Sequence, residues 1–151
     1  MTRRVLIIED DEDAAYLTSY LFRSAGYDVS CAHDGGGGLE MAEQERPDVI
    51  LLDLHMTPMN GHEVARLLRA HGDLSDIPRI AVTAYAMRGT REQILAGGFT
   101  GYITKPIEPA RFVAQVERIL VDSHRPNATG RTAPAVPRST DSGTGRSPRP
   151  R

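Results

Sequence analysis

The chain has 151 residues, 40% hydrophobic and 25% charged, a length that allows one globular domain and something extra. Met1 to Ser123 carries 12 basic against 19 acidic residues, and His124 to Arg151 carries 6 arginines against Asp141, so an acidic domain precedes a basic tail. The only cysteine, Cys31, excludes an internal disulfide, and no apolar run approaches a membrane span or a secretory leader, so a cytoplasmic protein is expected.

Val5 to Ile8 is a short apolar run that reads as a buried strand, and it ends in five consecutive acids, Glu9 to Asp13. Ala14, Leu17, Leu21 and Ala25 then recur at helical spacing up to Gly26, with Asp11 and Asp13 placed as cap and first-turn acids. Tyr27 to Ala32 reads as a second strand, and Asp34 can open the next helix. Gly35 to Gly38 follow at once. Each costs about 1 kcal/mol against alanine in a helix interior, so a frayed or late start is expected. No Gly-Lys-Ser/Thr follows them, which argues against a phosphate-binding glycine loop.

Val49 to Leu52 reads as a third buried strand, running into Asp53 and a loop marked by Pro58, Asn60 and Gly61. Asn60 can cap a helix with Val64, Leu67 and Leu68 inside. Arg79 to Thr83 is the fourth strand, a helix around Arg91 to Ala96 stops at Gly97-Gly98, and Gly101 to Thr104 is the fifth strand. Lys105-Pro106 leads to a last helix with Pro109 in its first turn and Phe112, Val113, Val116, Ile119 and Leu120 facing inward. Over 124–151 Pro, Ser, Thr, Gly and Arg dominate, a composition that cannot bury enough surface to order itself, and this tail is expected to be disordered. It has no aromatic residues on which bases could stack.

Strands alternating with helices at this spacing predict an α/β fold, a parallel sheet with helices on both faces. The ligand crevice of such a sheet lies at the carboxyl ends of its strands. That edge collects Glu9 and Asp10, Asp53, Thr83 and Lys105. Three carboxylates at close quarters repel one another unless a cation joins them, and hard oxygen donors with open positions suit Mg²⁺. Lys105 is the only lysine, a compact point charge in a chain whose other bases are arginine. Phosphoryl transfer asks for charge neutralisation and alignment, and this set offers both. Asp53 can be the nucleophile that becomes an aspartyl phosphate, while Lys105 and the Thr83 hydroxyl each hold a phosphoryl oxygen.

The motifs I-I-E-D-D, L-L-D-L-H-M, A-V-T-A and G-Y-I-T-K-P, in this order from Val5 to about Leu120, make the chain resemble the receiver domain of bacterial two-component response regulators. The resemblance implies a flavodoxin-like (βα)5 doubly wound fold over 1–123, with strand order 2-1-3-4-5. It implies that Asp53 accepts phosphate from a phosphohistidine of a sensor histidine kinase or histidine phosphotransfer protein. By the same resemblance Mg²⁺ is held by Glu9, Asp10, Asp53 and the backbone carbonyl of His55. Thr83 and Tyr102 match the family's switch pair, which acts on a face built from the fourth helix, fifth strand and fifth helix. An effector protein, or a second phosphorylated copy, would dock there. The motif A-V-T-A-Y-A-M resembles stand-alone regulators of the cell-division type and receivers of hybrid-kinase relays. No direct DNA binding is expected, and no enzymatic activity beyond self-phosphorylation and self-dephosphorylation.

One feature departs from the family pattern: Thr57 stands where a proline is usual, with Pro58 one residue later, which is expected to alter the loop over the site. By the resemblance, His55 and Tyr85 fall at positions that vary in the family and tune phosphate lifetime, and these two bulky residues are expected to restrict attacking water and lengthen the phosphorylated state. Among other classes, a haloacid-dehalogenase-like phosphatase would need a second acid where His55 stands. A flavin-binding flavodoxin would need a first loop that does not repel phosphate. A phosphate-independent docking module would have no use for the retained acids, Thr83 and Lys105.

Overall fold

The computed structural model describes residues 2–84 and 88–123, the side chains of 88–90 excepted. Tyr85 and the basic tail, with the expectations attached to them, lie outside these residues. Strands and helices alternate as expected: β1 (Arg4–Ile8), α1 (Glu12–Ser24), β2 (Asp28–Ala32), α2 (Gly35–Glu45), β3 (Val49–Asp53), α3 (Gly61–Ala70), β4 (Arg79–Thr83), α4 (Arg88–Ala96), β5 (Gly101–Thr104) and α5 (Phe112–Ser123). The strands pair in parallel in the order β2-β1-β3-β4-β5, a flavodoxin-like topology.

Register aligns the strand ends. Ile8 lies beside Ala32 and Leu52, Leu52 beside Ala81, and Ala81 beside Tyr102. One sheet face, with Leu6, Ile8, Ile50, Leu52 and Ala81, packs into a single core with Ala42 of α2, Val64, Ala65 and Leu68 of α3, and Ile94 of α4. Alternation turns Ile7, Leu51 and Val82 to the other face. There Phe22 of α1 meets Tyr27 and Phe112 edge-on, at centroid distances of 4.9 and 5.9 Å. Two compact units divide the chain after Glu117. The described part of the second is the end of α5, where Arg118 and Asp122 pair at 3.7 Å.

The helix starts follow the sequence closely. Asp11, Asp34 and Asn60 are N-caps, accepting from the backbone N–H of Ala14, Gly37 and Glu63 respectively. At α3 the Glu63 side chain reciprocates to the Asn60 N–H, completing a capping box.

Four expectations need correction. In α1 the buried residues are Ala15, Ser19 and Phe22, so the inward stripe is turned by about one position and Leu17 is 37% exposed. The large Phe22 ring, held between two other aromatics, sets the helix's rotation. In α2 the helix begins at Gly35, directly after its cap Asp34, and not late. A Cβ at Gly35 would lie 2.8 Å from Val64 Cγ2, and one at Gly38 would overlap the Ile8 side chain. Two of the glycines therefore permit close packing that offsets their intrinsic cost. In α5 the helix begins at Phe112, after a turn in which the Glu108 carbonyl accepts from the Arg111 and Phe112 N–H groups. Pro109 lies in that turn and precedes the helix. In α3, Leu67 is also more exposed than its neighbours Val64 and Leu68.

Candidate functional site

β1 and β3 run side by side, so the residues that follow their last paired positions emerge together. Glu9, Asp10 and Asp53 each offer a carboxylate oxygen within 4.8 Å of the others. Glu9 and Asp53 are each only 6% exposed, whereas Asp10 is exposed. Lys105 follows β5, and its backbone N–H donates to the Thr83 carbonyl at 2.7 Å, which fixes where its side chain starts. Its ammonium lies 2.9 Å from Glu9 Oε1 and 3.8 Å from Asp53 Oδ1. The His55 N–H donates to Asp53 Oδ1 at 3.1 Å, and the Asp11 N–H donates to Glu9 Oε2 at 3.2 Å. His55 itself is exposed, and the peptides before Pro58 and Pro106 are cis.

The charge balance is unfavourable to full ionisation. Burial, then hydrogen bonding with the Asp53 carboxyl, pushes Glu9 from 4.5 up to about 7, although the Lys105 ammonium pulls the other way. One ammonium serves two buried carboxylates and does not neutralise both. Oxygen donors grouped this tightly, with one ammonium between two buried carboxylates, fit a divalent cation with hard-ligand preference such as Mg²⁺.

Thr83 ends β4 and is completely buried. Thr83 pairs with Thr104 and Ala81 with Tyr102, so alternation puts Thr83 and Tyr102 on the same sheet face. Tyr102 is half-buried against the core that includes Ile94 of α4. The acids and Lys105 thus come together at the edge, and the Thr83–Tyr102 pair lies along β4 and β5 beside them.

An apolar chamber of about 450 Å³, not legible in the sequence, opens beside Asp53 and Lys105. It is lined by Ala14, Leu17 and Thr18 of α1, by Leu51 and Val82 of the sheet, and by Pro106 and Ile107. Leu17, turned away from the core, is part of this lining, and one signal of that turn is legible in the sequence: Phe22 competes with Leu21 for the buried position. The sequence likewise marks Gly61 only as a turn residue, whereas it is the first residue of α3.

The family model for the response regulator receiver domain matches residues 5–117. The chain belongs to that family. The receiver is 38% identical over 123 residues to the polar-differentiation response regulator DivK of Brucella anthropi, a match covering 82% of this chain and 100% of the relative. Among solved structures it resembles chemotaxis protein CheY4 of Vibrio cholerae, with a TM-score of 0.75 and 28% identity over 79% of this chain and 99% of that one. It also resembles the receiver domain of a sensor histidine kinase from Pseudomonas aeruginosa, with a TM-score of 0.73 and 30% identity over 80% and 99% of the two chains. That structure holds a magnesium ion coordinated in its active-site cleft. The protein is therefore a phosphoacceptor signalling module of two-component systems. Among the described residues no helix is long and apolar enough to cross a membrane.

Proposed function

We propose that Asp53 accepts a phosphoryl group from a phosphohistidine on a sensor histidine kinase or histidine phosphotransfer protein, and that this switches the binding of an effector. The observation that carries the reading is the meeting of three carboxylates within 4.8 Å and one ammonium at the carboxyl edge of β1, β3 and β5. An Asp53 oxygen forms the new bond to phosphorus as the P–N bond of the donor breaks. The electron pair stays on the imidazole nitrogen, which takes up a proton. The His55 N–H orients the attacking carboxylate, and Lys105 moves from the Glu9–Asp53 pair toward the incoming oxygens. Glu9, Asp10, Asp53 and the His55 carbonyl would hold Mg²⁺, which when bound supplies the positive charge that the phosphoryl oxygens and crowded carboxylates require.

The position of Thr83 supports the proposed switch. Its buried hydroxyl donates to a phosphoryl oxygen on Asp53, drawing the end of β4 toward the site. Tyr102, half-buried on the same face, then moves further into the core. The equilibrium shifts between two packings of α4, β5 and the start of α5, and an effector that binds one of them better senses the phosphate. Exposed His55 shields the acyl phosphate from water and lengthens its life.

The test is labelling with acetyl phosphate in the presence and absence of Mg²⁺. Wild type is expected to form an acid-stable, base-labile phosphoprotein that requires Mg²⁺, and Asp53→Asn is expected to form none. Labelling that persists in Asp53→Asn at the wild-type level would remove Asp53 from the proposed role.

A further inference from the structure

We infer that Gly61, the first residue of α3, is a positioning residue for the phosphoacceptor. This inference rests on the function proposed for Asp53. The Gly61 N–H donates back to the Leu54 carbonyl at 3.2 Å, closing the loop that leaves β3. The Gly61 Cα is thereby pressed against the Asp53–Leu54 peptide. A Cβ there would overlap the Asp53 carbonyl oxygen and stand 2.8 Å from Leu54 Cα. Both neighbours are main-chain atoms, so no side-chain rotation relieves the overlap. Ordinary van der Waals contact would require the peptide to move by roughly 1 Å.

That peptide is the wrong place to absorb such a shift. Residues 53–55 carry the Asp53 carboxylate, the His55 N–H that holds it at 3.1 Å, and the His55 carbonyl proposed for the cation. All three reaction groups ride on one short piece of backbone, and the capped N-terminus of α3 is the stop against which it rests. A displacement of about 1 Å in a reacting group slows a reaction by roughly a hundredfold. Gly38 provides the matched control, because a Cβ there is equally crowded but its three nearest neighbours, Cδ1, Cγ1 and Cγ2 of Ile8, are side-chain and not main-chain atoms.

The experiment compares Gly61→Ala with Gly38→Ala, each also made in a Gly36→Ala background chosen to add stability. The readouts are the initial rate of acetyl phosphate labelling at saturating Mg²⁺, corrected for folded fraction, and the His55 amide resonance without any phosphodonor. Gly61→Ala is expected to fold, to label roughly a hundredfold more slowly and to displace the His55 resonance. Gly38→Ala is expected to label within threefold of wild type, with that resonance in place. Labelling by folded Gly61→Ala at the rate of Gly38→Ala overturns the inference. So does a Gly61→Ala chain that fails to fold in both backgrounds, because the glycine then serves the fold and not the site. If wild type itself is not labelled, the proposed function fails, while the His55 resonance still decides whether Gly61 sets the position of Asp53.

Discussion

Glu9 is the residue whose state most affects the acidic edge. It titrates near 7 in the folded chain against an ordinary 4.5, chiefly because it is buried and next because it shares a hydrogen bond with Asp53. Between those two values the folded state binds a proton that the unfolded state has released. This proton stabilises the metal-free protein at acid pH, and the stability is lost as pH rises through the window, by up to about 3 kcal/mol. In EDTA the melting temperature is therefore expected to fall between about pH 4.5 and 7, and Glu9→Gln is expected to flatten that fall. Mg²⁺ favours the carboxylate, so its stabilising effect should be larger at pH 8 than at pH 5. Thermal melts across this range, with and without Mg²⁺, check both slopes. An unchanged profile in Glu9→Gln would assign the pH dependence to another group.

At the scale of single elements, α2 and α1 each show what the sequence revealed and what it concealed. The strands, the caps Asp11, Asp34 and Asn60, and the gathering of Glu9, Asp10, Asp53 and Lys105 were all legible. Each depends on local composition plus one topological rule, that parallel strands end on a common edge. Helix rotation and close approach were not legible, because both are set by distant partners. Gly35 and Gly38 belong to a continuous helix for reasons found in Val64 and Ile8. Gly36 has no such reason. Its Cβ would meet nothing nearer than 3.8 Å, and the position is exposed with helical backbone. Gly36→Ala should stabilise the fold by about 0.5–1 kcal/mol, whereas Gly38→Ala should destabilise it, a contrast that denaturant titration can read. The rotation of α1 has a functional counterpart. It places Leu17 in the lining of the apolar chamber beside Asp53, and on the function proposed for Asp53 the apolar surface of a protein donor would seat there and expel water. Leu17→Arg is accordingly expected to slow transfer from a phosphohistidine protein at least tenfold more than it slows labelling by acetyl phosphate. Equal slowing of both reactions would show that the chamber plays no part in choosing the donor.

Across the whole molecule the two edges of the sheet divide the work. The clustered acids and Lys105 sit at the carboxyl edge, and the amino edge of β4 is fastened by a buried cation, Arg79. Arg79 is 3% exposed, and its guanidinium donates to the carbonyls of Ser75 at 2.6 Å, Ile77 at 3.2 Å and Gly98 at 3.3 Å. Its backbone N–H donates to Thr100 Oγ1 at 3.1 Å, and its carbonyl accepts from the Thr100 N–H at 2.7 Å. Arg69 adds a bond to the Ala96 carbonyl at 3.3 Å. Burial, with the Arg69 charge nearby, lowers the Arg79 pKa from its ordinary value, so the three carbonyls are compensating a desolvated charge. The turns before β4 and before β5 are thus held by one side chain. Methionine in its place would leave three carbonyls without their donor, a loss of about 2–4 kcal/mol. Yet Arg79 lies four residues from Thr83, about 13 Å along the strand, and touches none of the acidic groups. Arg79→Met is therefore expected to melt several degrees lower while its folded fraction is labelled by acetyl phosphate at the wild-type rate. Gly61→Ala should behave in the opposite sense, changing the rate far more than the folded fraction accounts for. If Arg79→Met slowed labelling beyond its loss of folded protein, strain at the amino edge would have to reach Thr83 through β4, and the division between the edges would fail.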